Sequence, residues 1–110
     1  METLTIPRSK WKHGGLTTDA HRSCLHNPET GRDCCLGHLG RLRGIPDADM
    51  AYDRSTASRL FRRYGDLLTS FNFLDEAIHI NDSIMFTQEE REQTLIALFL
   101  ANYIELKFVD

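Results

Sequence analysis

From Thr87 to Asp110 the chain reads as a helix running into a strand, and this junction limits the folds open to it more than any other stretch. Thr87 and Glu90 stand as Thr-x-x-Glu, a capping box, and Glu89 adds negative charge where the helix dipole favours it. Leu95, Ile96, Leu98, Phe99, Leu100 and Tyr103 then lie around most of the helix circumference, which predicts a deeply packed helix. Ile104 to Asp110 alternates apolar and charged residues, the period of a strand with one face covered. A terminal strand needs a partner strand, so an all-helical fold is excluded.

The upstream chain supplies the other elements. Leu4 and Ile6 begin a short strand that Pro7 confines to an edge or ends. Trp11, before Lys12-His13-Gly14-Gly15, is a core plug beside a loop. Arg22–His26 reads as a strand entering a tight turn at Pro28–Gly31. Pairing Asn27 with Arg32 sets Cys24 opposite Cys35 and His26 opposite Asp33 on one face. From Cys34 or Cys35 the period turns helical, with Cys35, Leu39 and Leu42 at i, i+4 and i+7 and a stop at Gly44 and Pro46. Gly37 and Gly40 inside this helix each cost about 0.5–1 kcal/mol relative to Ala, so another element must approach the backbone there.

Residues 47–54 read as a linker loop, with Asp53 or Ser55 capping the next helix. Ala57, Leu60, Phe61, Tyr64, Leu67, Leu68 and Phe71 form its apolar stripe, opposite Arg59, Arg62 and Arg63, and Asp66 is placed to pair with Arg62. Phe73–Ile80 is a short helix before a polar loop at Asn81-Asp82-Ser83. The expectation is a single α+β domain over residues 1–110, three main helices packed on a small, mostly antiparallel sheet. Its core should include Leu60, Phe61, Tyr64, Leu95, Leu98, Phe99, Leu106 and Phe108.

A net charge of −3 excludes a generally basic nucleic-acid binder. The charge is uneven: residues 1–46 carry seven Lys/Arg against four Asp/Glu, and residues 47–110 carry six against twelve. No apolar run approaches the ~18–20 residues that span a bilayer, and no leader-like segment opens the chain, so no membrane partner is expected. An odd count of three cysteines without such a leader points to reduced thiols and a cytoplasmic setting, and makes the Asn81-Asp82-Ser83 sequon a chance match.

Three chemistries fit the residues beside a plain structural role. Cys24, His26, Cys35 and His38 would bring two thiolates and two imidazoles together, a donor set suited to tetrahedral zinc, although C-x-H-x8-C-x2-H is not a common zinc spacing. Cys34 at a helix start, with His26, His38 or His79 as base, would make a small Cys-dependent hydrolase. Arg41 and Arg43 with Arg59, Arg62, Arg63, Lys12 and His13 would form a cationic pocket for a small phosphorylated ligand, open to completion by a second subunit in a homo-oligomer. The plain alternatives are buried thiols and arginines paired with the acidic half of the chain.

The turn Gly31, the Cys34-Cys35-Leu36-Gly37 helix start, Asn81-Asp82, Glu90-Arg91-Glu92 and the terminal Phe108-Val109-Asp110 together resemble a group of small uncharacterised phage and prophage proteins. The resemblance touches about half the chain. It implies an accessory product acting in the host cytoplasm, and no agreed mechanism. The function expected is therefore a binding or inhibitory accessory protein that counters host defence by sequestering a nucleotide-like ligand. The alternatives are a zinc-stabilised module blocking a host protein, and the Cys-dependent hydrolase.

Overall fold

A computed structural model describes residues 1–14, 25–52, 57–65 and 69–110. In chain order its elements are strand β1 (Glu2–Pro7), a 3-10 turn (Arg8–Lys10), strands β2 (His26–Asn27) and β3 (Arg32–Asp33), helices α1 (Cys35–Leu42), α2 (Asp47–Tyr52), α3 (Ala57–Arg63), α4 (Phe71–Asp82) and α5 (Gln88–Ala101), and strand β4 (Ile104–Val109).

The terminal strand finds its partner at the other end of the chain. β1 and β4 pair in parallel, with Leu4 opposite Leu106 and Ile6 opposite Phe108. Leu4, Ile6, Ile104 and Leu106 are buried, while Thr3, Thr5, Glu105 and Lys107 face out, so the period-two alternation of both strands is used. β2 and β3 form a separate antiparallel hairpin in the expected register, His26 opposite Asp33 and Asn27 opposite Arg32. Gly31 closes its turn at φ 73°, donating its N–H to the Asn27 carbonyl at 2.8 Å.

The mixed α/β class holds, but the mostly antiparallel sheet beneath three helices does not. The longer ladder is parallel, the two ladders are separate, and five helices cover them among the described residues. Parallel strands need a crossover, and here almost the whole chain serves as one.

The helices correct the linker and the long stripe. Residues 47–52 are helix α2 rather than loop: Asp47 and Asp49 occupy its first turn, where acids oppose the helix dipole, and Met50 is fully buried. The stripe expected from Ala57 to Phe71 is broken, because α3 ends at Arg63 and Gly65 takes φ 83°. Leu67 and Leu68 lie outside the described residues, as do Asp53, Ser55 and Asp66. α4 starts afresh, capped by Ser70 Oγ accepting from the Phe73 N–H at 3.1 Å, and runs through Asn81 and Asp82.

α5 starts at the expected capping box, with both reciprocal hydrogen bonds formed. Its burial is one-sided, however. Leu95 and Phe99 are in the core, while Leu100 and Tyr103 are exposed. Of the expected core, Leu60, Phe61, Leu95, Phe99 and Leu106 are buried, Leu98 and Phe108 are half-buried, and Tyr64 is exposed. Trp11 is a core plug as expected, its ring 4.4 Å from that of Phe108. No helix among the described residues is long and apolar enough to cross a membrane.

Candidate functional site

The segment after β1, the start of α1 and the end of α4 meet at one buried asparagine. Asn81, fully buried in the last turn of α4, accepts from Trp11 Nε1 (2.8 Å) and from the Cys35 backbone N–H (3.0 Å). Its amide donates to the Lys12 carbonyl and to Asp82 Oδ1, both at 2.9 Å. Cys34, the N-cap of α1, offers no side-chain bond to that helix, so the first orphan N–H is capped from α4 instead. Asn81 is thereby closed to the outside, in keeping with a chance sequon.

Both described thiols are sealed in the same junction. Burial pushes the Cys34 thiol up to about 12, against a smaller opposing pull from Lys12. Burial also raises Cys35 well above its ordinary range, and its Sγ donates to the Ala77 carbonyl at 3.7 Å. A nucleophile needs the reverse, an accessible thiol with a lowered pKa. The linkage has a definite sign. Unfolded thiols ionise near 9.0 while the folded ones stay protonated, so stability falls as pH rises above that value. The loss should be about 1.4 kcal/mol per pH unit for each thiol. Denaturant titrations from pH 8.5 upward should give Cys35→Ala a shallower decline than the parent chain. Equal slopes would mean that the thiols are not held neutral.

Of the four expected zinc donors, His26, Cys35 and His38 are among the described residues. Cys24 lies outside the described residues. His26 Nδ1 is 2.5 Å from Asp33 Oδ1, and His38 Nε2 is 3.0 Å from the Lys10 carbonyl oxygen. Cys35 Sγ points at α4. Among the described residues, no three His, Cys, Asp or Glu side chains are arranged to hold a metal ion. The imidazoles instead flank Asp33, a fully buried carboxylate whose Oδ2 lies 2.9 Å from the Arg41 guanidinium and 4.0 Å from His38 Nδ1. Among the described residues Oδ2 has no hydrogen-bond partner, and its contact with Arg41 is an ion pair. Burial lowers the His38 pKa, opposed by Asp33, and favours its neutral form.

The arginines of the expected cationic pocket divide. Arg41 also pairs with Asp47 at 2.6 Å, and Arg43 grips Glu2 through two nitrogens at 2.7 and 3.2 Å. Arg59, Arg62 and Arg63 are exposed on α3. Lys12 is buried, and His13 stacks on Trp11 with its ring 4.4 Å away. Arg43 lines a cleft of about 260 Å³ with Phe73 and Tyr103, and none of the α3 arginines reaches it.

An apolar face on α4 escaped the sequence reading. Ala57 and Ser58 of α3 with Phe71, Leu74, Asp75 and Ile78 line a concavity of about 160 Å³. Ile78 continues into a second, of about 370 Å³, with His79, Asp82, Ser83 and Ile84. Of the lining residues Phe71 is 54% exposed and Ile84 68%, and Met85, next to Ile84 in the chain, is 86% exposed. The available signal was the pair Ile84-Met85 in a turn, where polar residues are usual.

That turn is held by a buried guanidinium. Arg91, 1% exposed, donates to the Ser83 and Phe86 carbonyls and, at 3.1 Å, to Gln88 Oε1. It occupies the C-terminal end of α4, where the helix dipole favours a cation, and among the described residues its Nε has no hydrogen-bond partner. Burial lowers its pKa, and Asp82 opposes that shift. Ser83 Oγ also accepts from the Met85 N–H at 3.1 Å. The two exposed apolar side chains thus stand on a tethered backbone. Compared with family models, with curated proteins and with solved structures, the chain matches none.

Proposed function

We propose that this chain is a binding protein of the accessory, inhibitory kind, and that it works by covering a surface of another protein. The observation that carries this reading is the exposed Phe71 and Ile84 lining two concavities that share Ile78, with the exposed Met85 next to Ile84 in the chain. Large apolar groups gathered at one face mark an interaction site, because leaving them in water forfeits the energy of their burial. The burial of Cys34 and Cys35, which favours their protonated form, supports binding over catalysis at these two thiols. The resemblance to phage accessory proteins favours a target in the host cytoplasm.

A photo-crosslinking amino acid in place of Phe71 or Met85, in a bacterial cell, should yield a discrete adduct that Ile84→Asp abolishes. The same group at Thr5 or Lys107, on the polar face of the terminal ribbon, should yield none. Equal labelling at all four positions would reject the face as the working surface.

The exposed α3 arginines favour a second reading, sequestration of a phosphorylated small molecule. Calorimetric titration with mono- and cyclic nucleotides should then give heat that Arg62→Ala diminishes. No heat from folded protein would discard this reading.

A further inference from the structure

Resting on the protein-binding reading above, we infer that the occupant of the α4 face is a basic amphipathic helix of about three turns. The length follows from α4 itself: its 12 residues extend about 18 Å, and the two concavities succeed one another along it through Ile78. A groove walled by α3 and α4 offers side chains and no strand edge, so it suits a helix with apolar anchors at i, i+3 or i+4, and i+7 rather than an added strand.

Charge selects the partner. The acidic residues lining the two concavities are Asp75 and Asp82. Arg62, one turn beyond Ser58 on α3, lines neither. His79 lines the second concavity. A second copy of this chain would bring the same acidic lining to the interface and, among the described residues, supplies no lining lysine or arginine to complement it. Lysines or arginines flanking the apolar anchors would complement the same rim. The turn bearing Ile84 and Met85 is held in advance by Arg91 and Ser83 Oγ, which reduces the ordering cost of docking.

The test titrates two synthetic three-turn helices against the full chain, read by fluorescence anisotropy. Both carry leucines at the anchor positions; one has lysine flanks and the other glutamate flanks. The lysine helix should bind about tenfold or more tighter at low salt, with the gap closing as salt rises. Asp75→Lys combined with Asp82→Asn should narrow the preference by a similar factor. Ile84→Asp, and separately Met85→Ser, should weaken the lysine helix about tenfold. Both positions are highly exposed, so neither change threatens folding. Ile84→Asp also adds a negative charge, so a merely diffuse attraction to an acidic protein would strengthen instead of weaken. Equal affinity for the two helices, or tighter binding by Ile84→Asp, overturns the inference. Crosslinks at Phe71 and Met85 without any binding of the lysine helix would reject the basic helix and leave the protein-binding reading standing. Neither crosslinks nor peptide binding would reject both.

Discussion

Replacing Asn81 with Ala should destabilise the chain by about 3–5 kcal/mol, because one deletion strands three buried groups. Trp11 Nε1 and the Cys35 N–H lose their acceptor, and the Lys12 carbonyl loses its donor. Each buried group left without a partner costs about 1–3 kcal/mol. The loss joins three segments at once: the residues after β1, the start of α1 and the end of α4. Thermal unfolding should shift down on the order of 15–20 °C for a chain of this size. Asn72→Ala, at an exposed position near the start of the same helix, should stay within about 0.5 kcal/mol and serves as the control. Calorimetry of the two variants decides the matter. Equal stability would mean that the junction is hydrated and that Asn81 is not its hub.

Gly37→Ala should be nearly as damaging, against the helix propensity that favours Ala by up to about 1 kcal/mol. A Cβ at Gly37 would overlap the Leu25 carbonyl oxygen and come within 2.8 Å of Asp33 Cβ. That carbonyl also accepts from the Cys34 N–H at 3.0 Å, so it has little freedom to withdraw. Overpacking of this kind costs about 1–3 kcal/mol, and more where the obstacle is backbone. Gly40→Ala is the informative contrast. Its Cβ would meet Met50 Sδ at 2.9 Å, the far part of a flexible side chain that can turn aside. Urea titrations should rank Gly37→Ala well below Gly40→Ala in stability. The reverse order would show that α1 and the hairpin are not packed backbone to helix.

These two residues show how far local reading reaches. The glycines announced a close approach, and the approach is real at both. What approaches was not legible: the neighbour of Gly37 is the chain just before β2, and only Gly40 meets a helix, α2. Asn81 and Asp82 looked like a loop because asparagine and aspartate favour turns. Burial reversed that preference at Asn81 once all its hydrogen bonds found partners. Phe71 fell into the period of the preceding stripe, yet the left-handed Gly65 breaks the helix before it and leaves Phe71 exposed at the start of α4. The exposed apolar face of α4 was therefore hidden by a periodicity that continued through a break.

Features that depend on neighbours in the chain were legible before any fold was known. The Thr87 capping box, the turn closed by Gly31, the register of the hairpin, the start and stop of α1 and the alternation of both terminal strands all rest on interactions within a few residues. It took the packed fold to show that the two termini pair in parallel, that residues 47–52 form a helix over Met50, and that His26, His38 and the exposed Arg41 gather around the buried Asp33 carboxylate. Alternation specifies which face of a strand is covered but not which strand lies beside it or in which direction it runs. That choice belongs to the energy of the whole core, which joins residues about a hundred positions apart.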